Sequence, residues 1–211
     1  MPNLTGPPLS FPAKSFPAGQ AGVPVGSMGE LTISELMGKY STLVKAQKVF
    51  YTSAIITAPV IFSTAAQLGP MIWNKPGSQL DAHILGIACS EPSTATTVAG
   101  ALGLVTNVQP SAPTTATSIT AVNAYGGGSA SGMAGIFSTA TVLVTNPAPI
   151  FLPLLGVAGA AITVGNTVTQ SFVDIGGLSV VAPGTVGYVC ASSTLTTGVF
   201  TVALIWAELP V

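Results

Sequence analysis

The one histidine of this chain, His83, stands two residues after Asp81. Alternate residues of a strand share a face, so the two could sit side by side, a carboxylate orienting an imidazole. That is the beginning of a general-base arrangement, and the rest of one is missing. No G-x-S-x-G elbow and no P-loop accompany it. A turn-to-strand boundary with a hydrogen-bonded histidine is the simpler reading. Two carboxylate pairs, Asp81 with Glu91 and Asp174 with Glu208, would suit glycoside hydrolysis only if the fold set them about 5–9.5 Å apart. Their spacing gives no reason for that.

Metal chemistry has as little to work with. One histidine, two distant cysteines (Cys89 and Cys190) and six scattered acidic residues offer no ligand spacing. The glycine-rich stretch YGGGSASGMAG, Tyr125 to Gly135, lacks the G-x-G-x-x-G spacing and follows no βα pattern. It reads as a flexible loop or a close-packing site. Nine of the eleven charged residues precede Pro92, which leaves Asp174 and Glu208 alone in the rest of the chain. Convergent titratable groups are what an active site needs. A protein without catalytic residues, cofactor or metal is expected.

The scarcity of charge is itself a signal. Charged residues make up 5% of the 211, against about 25% in ordinary globular domains. Arginine is absent, and Ser, Thr, Gly, Pro and Ala fill the gap. Such a surface is either a neutral hydroxyl-rich skin or is hidden by neighbours, and the second reading is favoured here. Five lysines against six acidic residues form no basic footprint, so nucleic acid is not an expected partner. The uncharged runs Val49–Asn74 and Pro147–Gly165 are broken by proline and glycine and carry no basic flank. They do not read as spanning helices, and no membrane association is expected. The first residues, MPNLTGPPLSFPAKSFPAG, contain no apolar core of a secretory signal. The two cysteines accordingly read as buried, reduced thiols.

Three regions follow along the chain. Residues 1–29 hold six prolines and five glycines, with Phe11 and Phe16 as the large aromatics and Lys14 as the single charge. Proline fixes φ and withholds an N–H, so an extended arm is expected, with Phe11 and Phe16 as its anchors on a neighbour. Residues 30–48 read as an amphipathic helix. Thr32 and Glu35 form a capping box, and Ile33, Leu36, Met37, Tyr40, Leu43 and Val44 recur on one face. That face is expected to pack on the body or on a symmetry mate. Residues 49–211 read as an all-β antiparallel sandwich of jelly-roll type.

The expected strands are 49–57, 60–63, 83–90, 101–108, 118–124, 135–145, 160–163, 167–175, 178–181, 185–191 and 199–207. TNVQPSAPTTATS and AYGGGSASGMAG read as surface loops. In the last strand Phe200, Val202, Leu204 and Trp206 point one way, and Val199, Thr201, Ala203 and Ile205 the other. Both faces are nearly apolar, whereas a strand buried on one face alternates with polar residues. The second face is therefore expected at a subunit contact.

The ending LSVVAPGT, a strand, then FTVALIWAELP resembles the close of jelly-roll structural proteins on tailed-bacteriophage particles. An apolar strand, a Pro-Gly corner and a strand ending in Trp-x-Glu carry the likeness, over about 35 C-terminal residues. The amphipathic helix ahead of the first strand departs from it. The resemblance implies a single jelly roll, commonly a homotrimer, that decorates or cements a capsid or serves as a minor capsid subunit. Its partners would be itself and other virion proteins, and its place the virion, assembled in the host cytoplasm. The alternative expectation is a receptor- or glycan-binding module of a head or tail fibre. Exposed loop aromatics would mark that one, and Tyr125 and Trp73 are the only candidates.

Overall fold

The computed structural model describes residues 39–94, 98–143, 150–159, 169–192 and 198–211. Two compact units divide the chain, residues 1–42 and 43–211. The described part of the first is Lys39–Thr42, where the Lys39 ammonium lies 5.1 Å from the Tyr40 ring centroid. A short helix, α1 (Ser41–Lys45), precedes the strands. The Lys48 N–H bonds the Leu43 carbonyl and the Gln47 N–H that of Val44, each at 2.9 Å, with Gln47 at φ 58°. This double bond around a left-handed residue ends a helix, so helix does not run on to Lys48 as the periodicity suggested. The expected arm 1–29 and the helix residues Ile33, Leu36 and Met37 lie outside the described residues.

Eleven strands follow: β1 (Val49–Thr57), β2 (Ala66–Asn74), β3 (Leu80–Thr94), β4 (Val98–Val108), β5 (Thr114–Ser118) and β6 (Val122–Asn123), then β7 (Gly135–Thr141), β8 (Ile150–Gly159), β9 (Thr169–Val181), β10 (Thr185–Ala191) and β11 (Gly198–Pro210). They form two antiparallel sheets, β6-β1-β11-β3-β9 and β5-β7-β2-β10-β4-β8. Without the additions β5, β6 and β7, the orders are 1-11-3-9 and 2-10-4-8. Successive strands alternate between sheets and the last strand lies beside the first, which is the winding of a jelly roll. The all-β sandwich expected from the sequence is the fold of this chain.

The core lies between the sheets. Phe200, Val202, Leu204 and Trp206 of β11 are buried there with Ile84 and Ile87 of β3, Ile72 of β2 and Leu104 of β4. The Trp206 ring stacks on Phe50, its cross-strand partner, at 6.0 Å between centroids. Each such side chain contributes roughly 1.5–3 kcal/mol through burial.

A second apolar cluster sits on the other face of the six-stranded sheet. Val186, Tyr188 and Cys190 of β10 point into it with Met71 of β2 and Val105 of β4. The chain after β7 crosses this face and closes it. Thr141 pairs with Ala66 on β2, yet the next-but-one carbonyl, Leu143, accepts the Asn107 amide on β4 at 2.7 Å. Val142 is buried on the way, its N–H bonded to Ala65. So β10 is covered on both faces by its own chain, and no neighbouring molecule is needed to explain why the stretch from Thr185 to Ala191 lacks charge.

Two Pro-Gly turns close one end. In Ala182–Thr185 the Thr185 N–H reaches the Ala182 carbonyl at 3.1 Å across Pro183 and Gly184, with Gly184 at φ 82°. Lys75–Ser78 repeats the pattern, with Gly77 at φ 76°. Proline first and a left-handed glycine second define a type II turn.

Several strands differ from the sequence expectation. Residues 60–63 make one isolated bridge, Ile61 to Ala191, instead of a strand. β2 and β8 were missed, and both contain proline. Pro70 is tolerated because the β2–β7 register slips between Leu68 and Met71, and Pro153 because β8 is an edge strand. The expected 167–175 and 178–181 are one strand, β9, bulged at Gly176-Gly177. The expected 118–124 splits into the end of β5 and β6. The loop TNVQPSAPTTATS carries β5, and 160–163 lies outside the described residues.

Candidate functional site

The outer face of the five-stranded sheet is built in rungs, one residue from each of β1, β11, β3 and β9. Tyr51, Ile205, Gly86 and Asp174 form the first, Ser53, Ala203, Ala88 and Phe172 the second. Ile55, Thr201 and Ser90 begin the third. The residues on the two middle strands are small and half-buried, apart from Ile205. Those at the sides stand proud, Ile55 at 71% exposure and Phe172 at 57%. A trough of about 390 Å³ lies between them, floored by Ala88, Ser90, Thr201 and Ala203. The Phe172 ring leans over Gly86, where a β-carbon would come within 2.7 Å of its Cζ. A side chain at 86 would displace the ring from the trough wall. In the three rungs the one ionisable side chain is Asp174.

Of the sequence-predicted residues, Val199, Thr201, Ala203 and Ile205 all point to this outer face and are half-buried. Leu43 and Val44 are half-buried on α1, and Tyr40 precedes it. Phe11 and Phe16 lie outside the described residues. The flanking residues Tyr51, Ile55 and Phe172 escaped notice in the sequence. The alternation Tyr51-x-Ser53-x-Ile55 carried the signal, because Phe50 and Ile56 on the opposite parity are core.

A second feature lies at the end of β11. Glu208 is only 4% exposed. Its Oε1 accepts the Trp206 indole N–H at 3.0 Å and the Ser131 hydroxyl, and its Oε2 accepts the Gly132 N–H at 2.7 Å. A β-carbon on Gly132 would meet Leu80 Cδ1 at 2.6 Å, so only glycine allows this approach. Asn123 adds to the hold on the loop, donating to the Gln47 and Ser129 carbonyls and accepting the Tyr125 N–H. The glycine-rich stretch is thus a tethered loop. A recess of about 160 Å³ remains beside it, bordered by Lys48, Phe50 and Ser129.

The carboxylate pairs do not come together. Asp81 and Glu91 stand ten positions apart on β3, about 33 Å of extended chain. Asp174 is exposed on the outer face, whereas Glu208 is buried opposite the core residue Ala82. Asp81 and His83 do share a face of β3, and Asp81 Oδ1 is buried there without a hydrogen-bond partner. Cys89 on β3 and Cys190 on β10 are free thiols in different sheets. Burial pushes the Cys190 thiol up to about 12. Trp73 donates its indole N–H to the Gln109 carbonyl at 2.9 Å and packs against the second apolar cluster. Tyr125 is the exposed loop aromatic of the pair weighed for ligand binding. The chain matches no family model, no curated protein and no solved structure with which it was compared.

Proposed function

We propose that this chain is a non-enzymatic structural subunit of a virus particle, of the kind that decorates or cements a tailed-phage capsid or serves as a minor capsid protein. The observation that carries the reading is the outer face of β1, β11, β3 and β9, apolar, nearly free of charge and open along a trough. A folded chain that leaves such a face uncovered loses the hydrophobic stabilisation its burial would give, and larger exposed apolar patches mark interaction surfaces. The tethering of Glu208, the one deeply buried carboxylate of the described residues, to a loop supports the same reading. It leaves that group committed to structure. The jelly-roll winding and the scarcity of charge agree with a subunit that works among protein neighbours, itself in a trimer and other virion proteins.

The test is localisation on particles. Antibody raised against the recombinant chain should label purified virions of the virus that encodes it at regular intervals over the capsid. Recovery of the chain only from the soluble fraction of infected cells, with none on purified particles, would overturn the proposal.

A further inference from the structure

The arm contains a tandem repeat, Ser-Phe-Pro-Ala at 10–13 and again at 15–18, with Lys14 between the copies. We infer that this segment of one copy of the chain occupies the trough on the outer face of another copy. The inference rests on the assembly reading above and names the contact by which copies associate.

Size is the first argument. Rungs on one face of a strand repeat every two residues, about 6.8 Å, and strands lie about 4.8 Å apart. The three rungs therefore cover roughly 400 Å² with their margins. A stable interface between two folded bodies takes about 800 Å² from each partner. The trough is half of that, too small for a second sandwich and the right size for an extended segment.

Spacing is the second. Five residues of proline-rich extended chain rise about 15.5 Å, which separates Phe11 from Phe16. The outer rungs of the trough, Thr201 to Ile205 on β11, are about 14 Å apart. Two aromatic rings at that interval settle on the small floor residues, between the ridges of Ile55 and Phe172.

Charge and chemistry select the same occupant. The one charge of the arm is Lys14 and the one ionisable group of the rungs is Asp174. Pro12 and Pro17 each lack an N–H, so the segment is a poor added strand at the free edge of β9. Docking onto a face by side chains has no such requirement.

The experiment uses full-length protein and two variants, with mass read by light scattering at micromolar concentration. Phe11→Ala with Phe16→Ala removes the anchors and leaves the trough. Ala203→Arg fills the trough and leaves the arm. Wild type is expected as an oligomer, and each variant alone at single-chain mass, with self-association weakened at least tenfold. Their equimolar mixture is expected to recover two-chain mass, since one supplies a good arm and the other a good trough. Single-chain mass for wild type would overturn the inference, as would variants that associate like wild type or a mixture that stays at single-chain mass. Should Ala203→Arg fail to fold, a photoreactive benzoylphenylalanine at position 16 decides. Crosslinks between isotopically distinct chains that map to β11 or β3 support the contact, and crosslinks within one chain or to other strands overturn it. Self-association by this route without particle binding would sink the virion proposal alone. Particle binding by a chain that never self-associates would sink this inference alone.

Discussion

The Trp206 indole N–H donates to the carboxylate of Glu208, two residues further along β11, at 3.0 Å and out of contact with water. The Trp-x-Glu ending is thus one device. The tryptophan fills the core and the glutamate carries the strand's hold on the loop at Ser131 and Gly132.

Glu208→Gln should therefore be costly despite its matching shape. Both carboxylate oxygens accept, so an amide NH₂ must face a donor in either orientation. A loss of about 3 kcal/mol is expected from breaking charged hydrogen bonds and stranding a buried donor. Ser131→Ala, which removes a single donor, should cost about 1–2 kcal/mol. Urea unfolding followed by tryptophan fluorescence measures both, and equal costs for the two would contradict this division of roles.

Asn74 is fully buried, and its Nδ2 donates to the Leu80 carbonyl at 2.7 Å and the Val181 carbonyl at 3.0 Å. It ties the entry of β3 to the end of β9. Asn74→Asp replaces the donor by a buried charge aimed at two carbonyls, and should cost at least about 3 kcal/mol at neutral pH. The carboxylic acid can donate to one carbonyl, so burial should raise this aspartate's pKa and the variant should regain stability as pH falls. A variant no less stable than wild type at pH 7 would show that the tie carries no weight.

At the Pro183–Gly184 corner, the φ of 82° alone should decide the effect of a side chain. The nearest atom to an added β-carbon at 184 is Pro76 Cγ at 3.8 Å, an ordinary contact. Gly184→Ala should cost about 1–2 kcal/mol from left-handed strain, whereas Gly184→Asn should cost less because asparagine tolerates that region. Thermal melts of the two variants give the ranking, and the reverse order would count against the assignment.

Burial pushes the Cys190 thiol from 9.0 to about 12, and holds the Tyr188 hydroxyl above the usual phenol range with Cys190 adding to it. Both keep their protons longer in the folded chain than in the unfolded one. Their contribution to stability is complete below pH 9 and is lost as pH rises towards 12. The slope should reach roughly 1.4 kcal/mol per pH unit for each group once the unfolded state titrates fully. Urea midpoints from pH 7 to 11 should fall above 9, and Cys190→Ala should flatten the first part of the fall. Native protein at pH 8 should leave Cys190 unreactive towards a thiol reagent until it unfolds.

Much of this architecture was legible in the residues, and the gaps have local causes. β1 and β10 were bounded correctly, because uninterrupted apolar runs flanked by turn residues state a strand directly. β2 and β8 were hidden by Pro70 and Pro153, whose acceptance depends on a bulge in one case and an edge position in the other. Neither can be read before the strand order is known. The lack of charge in β10 was read as a sign of neighbouring subunits, and its cause is the crossing chain at Val142 and Leu143. The face of Val199, Thr201, Ala203 and Ile205 was picked out by its parity, but the ridges Ile55 and Phe172 that shape it come from strands distant in sequence. Only the register joins them.

The pairing of β1 with β11 also fixes when this molecule can fold. Val49 meets Ala207, and Thr57 meets Val199, so the first strand of the sandwich waits for the last. During synthesis the ribosome holds back both central partners of the five-stranded sheet until residues 198–210 have emerged. Until then β1 and β3 expose apolar faces with no strand between them, and the nascent chain depends on chaperones, or on speed, to reach the end unaggregated.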